Sequence, residues 1–258
     1  MKHLSKIQEY LKENKLDAWV VYQFMDINPS FKKFMGNSAI VTRRAFLIIP
    51  QKGTPLLFHS FVDSGLGHLG IDSQYYISYE EFKQKAKIIL KDYKKIAMEF
   101  SPMSEIPHIS KVDAGVIDLL RSFNIEIVSS GDLMQLAGQL SDDDIKSHKK
   151  AAKALDEVRR ASFKEIEDLL KSGKRVDEYL IQQLVLLKTK EAGLEPYSEP
   201  TTVINEHSAI LHYAPPQQNS KELRENDLLL IDMWAKFPSD EDIYADITWM
   251  LYRGKDIP

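Results

Sequence analysis

Two aspartates set within apolar strand patterns offer the clearest chemistry in this chain. Leu228-Leu-Leu-Ile-Asp232-Met-Trp234 is an apolar run interrupted by one carboxylate, and Ile243-Tyr-Ala-Asp246-Ile-Thr248 repeats the pattern fourteen positions later. Burying a lone carboxylate costs several kcal/mol unless it is paired, hydrogen-bonded or bound to a cation. If the two strands form a hairpin through residues 236–242, both carboxylates reach one point. Two facing carboxylates then share a proton or a cation, and such hard oxygen ligands suit divalent ions. Spacing alone fits equally well an Asp232 that ends its strand on backbone amides and an Asp246 on a solvated edge.

His212 lies upstream in Asn205-Glu-His-Ser-Ala-Ile-Leu-His212-Tyr213-Ala-Pro-Pro216. A histidine in such a Pro-flanked loop can carry a proton or donate to a substrate carbonyl. Viewed by itself, a surface or core histidine is the commoner role. The chain has no cysteine, so disulfides, thiolate ligands and thiol nucleophiles are excluded, and a metal must be held by His, Asp or Glu.

The elements that must position these residues are legible from periodicity. Leu4, Ile7 and Leu11 predict a helix, followed by a buried strand over residues 18–22. Residues 45–49 and 56–58 predict a β-hairpin across a Pro- and Gly-containing turn. Helical spacing over 80–93 and 112–123, each followed by a short strand, argues for an α/β domain with helices covering a central sheet. Ser141-Asp-Asp-Asp144 reads as an N-cap with acid at the positive helix end, opening a long helix whose apolar side is Ile145, Ala152, Leu155, Phe163, Ile166 and Leu170. A second helix is predicted over 177–192, with Leu180, Leu184 and Leu187 on one side and Gly193 ending it. The strand patterns at 201–204, 227–231 and 243–251 then make an α+β second domain.

Composition excludes other classes. Of 258 residues, 43% are hydrophobic and 28% charged, which is the profile of a folded globular protein. A net charge of -4 gives no footprint for nucleic acid. There is no signal-peptide pattern and no membrane-length apolar run, so no membrane partner is expected and a cytoplasmic location is the default. The GxGxxG match at 65–70 does not follow a buried strand into a helix and reads as a loop.

The ordered set Asn205…His212-Tyr213, Asp227 to Asp232, Ala245-Asp246-Ile-Thr248 and Gly254 resembles the pita-bread metallopeptidase family (M24) of Xaa-Pro aminopeptidase, prolidase, methionine aminopeptidase and creatinase. The resemblance implies an α/β creatinase-type accessory domain over 1–140 and an incomplete α+β pita-bread catalytic domain over 141–258. It also implies that Asp232 and Asp246 are the first two metal ligands, that Asp246 bridges two divalent ions, and that His212 contacts substrate. Mn²⁺ leads the expected metals, with Co²⁺ and Zn²⁺ as alternatives. The implied reaction is hydrolysis of Xaa-Pro peptide bonds by water acidified between the ions, in a homodimer acting on proline-containing peptides.

The family completes its site with one more histidine and two glutamates beyond the Asp246 strand. The expectation is therefore a chain cut within its catalytic domain and inactive as it stands. Trp249 stands where many relatives have Arg. The alternatives are a non-catalytic pita-bread binding module and a creatinase-like amidinohydrolase, which works without metal.

Overall fold

The computed structural model describes residues 3–36, 40–68, 70–239 and 241–255. Met1 and Lys2 of the opening segment, Leu69 of the glycine-rich match, Asp240 of the 236–242 connection and residues 256–258 lie outside them. The chain divides into two compact units, Met1–Gln139 and Leu140–Pro258.

In the first unit, α1 (Leu4–Glu13) turns Ile7 and Leu11 inward and leads into β1 (Ala18–Gln23), which is buried at every position. The Asn28 side chain accepts the Ser30 amide to open α2 (Pro29–Met35), whose first residue is a proline that lacks the N–H a helix start leaves unpaired. β2 (Ala45–Pro50) and β3 (Leu56–Ser60) form the expected antiparallel hairpin. Between β3 and β4 (Asp72–Tyr76), residues 61–68 form 3₁₀ turns broken at Asp63, and among the described residues the glycine-rich stretch opens no α-helix.

α3 (Tyr79–Ile89), β5 (Lys95–Met98), α4 (Ala114–Arg121), β6 (Glu126–Ser129) and α5 (Gly131–Ala137) follow, with Ser78 and Asp113 capping α3 and α4. The sheet runs β4-β3-β2-β1-β5-β6. β1, β5 and β6 are parallel neighbours, and β2 is antiparallel to both of its own. Alternate residues of β1 feed two cores. Trp19 and Val21 join Ile7, Phe31 and Leu133 on one face, while Val20 and Tyr22 join Phe82, Ala86 and Leu120 on the other. Helices thus cover both faces of the sheet, as its mostly parallel strands require.

The second unit opens with α6 (Asp142–Lys171). Ser141 Oγ accepts the Asp144 amide at 3.2 Å, and the Asp144 carboxylate accepts the Ser141 amide at 2.7 Å, closing a reciprocal cap. Ala151, Leu155, Val158, Ser162 and Ile166 form its buried stripe, whereas Ile145 is exposed. α7 (Glu178–Glu191) is capped by Asp177 and followed by Gly193 at φ 72°.

The face α7 buries differs from the one the leucine spacing predicts. Leu180 and Leu187 are exposed, and Glu178, Ile181, Gln182, Leu184, Val185 and Thr189 point inward. The leucine count favoured one side of the helix, while the buried side carries three polar residues that its partners satisfy. β7 (Glu195–Pro196), β8 (Thr201–Ile204), β9 (Asp227–Lys236) and β10 (Ala245–Arg253) form an antiparallel sheet with β9 at its centre. Leu229, Ile231, Met233 and Ala235 of β9 pack on Leu155, Ile181 and Val185 of the two helices.

Candidate metal centre

β9 alternates strictly. Its odd-numbered residues from Leu229 to Ala235 are buried, and Leu228, Leu230, Asp232 and Trp234 occupy the opposite face. Asp232 therefore does not sit inside the apolar core that the residue run suggests. Side chains on a strand alternate between faces, so an apolar run can serve both.

β10 pairs with β9 in a register that sets Thr248 opposite Asp232 and Asp246 opposite Trp234. Directly paired residues share a face, so Asp232, Trp234, Asp246 and Thr248 all stand on the side away from α6 and α7. Asp232 and Asp246 are diagonal neighbours, a relation that sets residues roughly 7–8 Å apart at the backbone and within side-chain reach.

The two carboxylates feel one another. The Asp246 carboxyl is held above its ordinary value, first by partial desolvation and then by the negative charge of Asp232. Asp232 is half-buried and Asp246 exposed, which is more open than a sealed pair. Thr248 Oγ1 donates to Asp232 Oδ1 at 2.6 Å, orienting that carboxylate. On the other side of β9, Thr201 pairs with Asp232.

A divalent cation fits this donor set. The donors are hard oxygens, their mutual repulsion would be relieved by positive charge, and one is already oriented by a hydroxyl. Among the described residues, no group of three or more His, Asp or Glu side chains forms a complete metal cage. Trp249 points to the opposite side of β10, where the Arg159 guanidinium lies 4.3 Å from its ring centroid.

The loop after β8 carries His212. Asn205, in the left-handed region at φ 52°, clamps its start: Nδ2 donates to Asp227 Oδ1 at 2.7 Å, and Oδ1 accepts the Leu228 amide at 2.8 Å. His212 is also left-handed, at φ 57°, and its side chain is exposed and makes no hydrogen bond among the described residues. The structure brings Asp232 and Asp246 together, whereas no described contact joins His212 to them.

Sequence reasoning missed Glu178. Its carboxylate is fully buried and accepts the Ile204 amide at 2.7 Å and the Tyr213 hydroxyl at 3.0 Å, and it contacts His207 Nδ1 at 2.8 Å. The signal was present in the spacing of Glu178, Ile181, Gln182 and Val185, which share one helix face.

Residues 146–258 match the model of metallopeptidase family M24. No curated protein sequence matches the chain. Among solved structures, a prolidase from Pyrococcus horikoshii OT3 is similar at 20% identity and TM-score 0.66, covering 99% of this chain and 66% of its own. An X-prolyl aminopeptidase from Caenorhabditis elegans, described as a cytosolic enzyme with a di-nuclear active site, is similar at 14% identity and TM-score 0.67, covering 100% of this chain and 41% of its own. The N-terminal domain of FACT complex subunit SPT16 from Cicer arietinum is similar at 8% identity and TM-score 0.65, covering 97% of this chain and 65% of its own. This chain thus shares its fold with a part of each of these proteins, a creatinase-type α/β unit followed by a pita-bread α+β unit, and spans just under two thirds of the prolidase.

Proposed function

We propose that this chain belongs to a metal-dependent peptidase that hydrolyses Xaa-Pro bonds, because residues 146–258 match the model of metallopeptidase family M24. Asp232 and Asp246 are its divalent-metal ligands and His212 its substrate-facing residue. The first unit is the accessory domain of that enzyme. The observation that carries the reading is the β9–β10 register, which puts both aspartates and Thr248 on one open sheet face.

When bound, two divalent ions, Mn²⁺ foremost, supply Lewis acidity for peptide hydrolysis. This chain's residues do the rest. Asp232, held by Thr248, presents an oriented carboxylate, and Asp246 adds the second negative charge. His212, on an exposed loop, donates to the carbonyl beside proline. The di-nuclear site described for the X-prolyl aminopeptidase supports the pairing of two ions.

A second reading has one observation in its favour. The FACT complex subunit shares the fold, so the fold by itself is compatible with a binding module that catalyses nothing. The aspartate pair favours the peptidase, since a binding module gains nothing from two repelling carboxylates on one face. Hydrolysis of an Xaa-Pro dipeptide with added Mn²⁺, by the full-length protein carrying the remaining histidine and two glutamates and by its Asp232→Asn variant, tests the choice. The peptidase reading expects the variant to lose activity, and equal rates would overturn it.

A further inference from the structure

We propose that Glu178 is the positioning residue of the 205–213 loop, holding His212 in its presenting conformation through His207 and Tyr213. The inference rests on the reading of His212 as the substrate-facing group.

A carboxylate removed from water needs donors, and those of Glu178 come from one short stretch of chain. The Ile204 amide binds at the loop's beginning, the His207 ring in its middle and the Tyr213 hydroxyl at its end. The His207 and Tyr213 rings also pack together, their centroids 4.4 Å apart. One side chain on α7 therefore closes the loop at three points.

The helix is a firm anchor. Glu178 sits in the first turn of α7, where negative charge is favoured, and its backbone carbonyl accepts Thr202 Oγ1 at 2.8 Å. Asn205 ties the same loop to β9 from the other side.

His212 is the residue that benefits. It precedes Tyr213 and adopts φ 57°, a conformation that is strained for a non-glycine residue and persists only where the surroundings impose it. The neighbouring constraint is the Tyr213–Glu178 bond. Partial burial and that carboxylate push the Tyr213 phenol up to about 12, so it remains a donor across the neutral range.

A buried carboxylate that served only general stability would act on the whole unit, whereas a clamp acts on its loop. Hydrogen exchange on this chain separates the two. In Tyr213→Phe, which removes a single hydroxyl, and in Glu178→Gln, amides in 205–213 are expected to exchange about tenfold faster, while the β9 amides from Leu229 to Met233 keep their rates. The His212 ring resonances are expected to shift in both variants.

His212→Ala in the full-length protein with its complete ligand set, assayed on an Xaa-Pro dipeptide, judges the substrate role on its own, because it leaves the Glu178 contacts intact. An unchanged kcat/KM in that variant would remove the substrate role and leave the exchange result to stand alone. Unchanged exchange over 205–213 in both clamp variants, or equal acceleration in β9, would overturn the role of Glu178.

Discussion

The hydroxyl of Thr248 on β10 donates to Asp232 on β9 at 2.6 Å, across directly paired positions of the two strands. The bond ties a candidate metal ligand to the strand that carries the other one, Asp246. Thr248→Val keeps the shape and removes the donor. Because the hydrogen bond is exposed, stability is expected to fall by only about 0.5–1 kcal/mol. Metal affinity is expected to fall more, about tenfold or above, since partners that orient a ligand carry effects of that size. Mn²⁺ titration of both proteins checks the difference.

The raised Asp246 carboxyl gives a pH dependence whose sign is determined. Its folded-state pKa lies above the ordinary value of 3.8, so the native state holds this proton more tightly than the unfolded chain does. The cost to folding is absent below 3.8 and appears as pH rises through the folded-state value. Asp246→Asn is therefore expected to gain stability relative to the parent above that window and to match it more closely below. Mn²⁺ is expected to reverse the gain by stabilising the parent alone. Denaturant melts at acid and neutral pH, with and without the ion, make the comparison.

Glu99 in the first unit titrates near neutrality. It is fully buried at the end of β5, and desolvation raises its pKa to about 7 against donors from Trp19 Nε1 at 2.7 Å, the Tyr22 amide at 3.1 Å and Asn28 Nδ2 at 3.0 Å. The folded pKa lies above the unfolded one, so the group's contribution is fully present below 4.5 and is lost as pH rises through about 7. Between pH 5 and 8 the parent is expected to lose on the order of 3 kcal/mol relative to Glu99→Gln, whose side chain does not titrate. Urea unfolding of the two proteins at both pH values checks it.

Ser141→Ala removes the hydroxyl half of the cap on α6. A loss of about 1 kcal/mol is expected, as for N-caps generally. It is read as a lower thermal midpoint with the first unit's near-ultraviolet signal unchanged at room temperature.

Much of this architecture is legible in the residues. The Ser141–Asp144 cap, Gly193 and the hairpin between β2 and β3 carry local signals strong enough to read directly. Other features depend on partners far along the chain. β4 has a polar, exposed pattern and exists because β3 offers it a backbone edge. α2 has a recognisable start in Asn28 and Pro29, yet its 7 residues are too few for helical periodicity to mark it.

The site divides in the same way. The aspartate spacing pointed to a hairpin, and the register between β9 and β10 gives the shared face. That the face is open, with Asp232 half-buried, follows from strand alternation that a run of leucines conceals. Glu178 escaped notice because a lone glutamate at a helix start ordinarily faces solvent. Its burial depends on donors from a loop some thirty residues later.

The central claim is that Asp232 and Asp246 together hold a divalent cation. Paramagnetic broadening of backbone amide signals by sub-stoichiometric Mn²⁺ tests it directly, because the effect registers weak binding and reports its place. Broadening is expected to centre on residues 232, 246 and 248 and to vanish from them in Asp246→Asn. Broadening spread over surface carboxylates elsewhere, or retained at residue 232 in Asp246→Asn, would contradict the account.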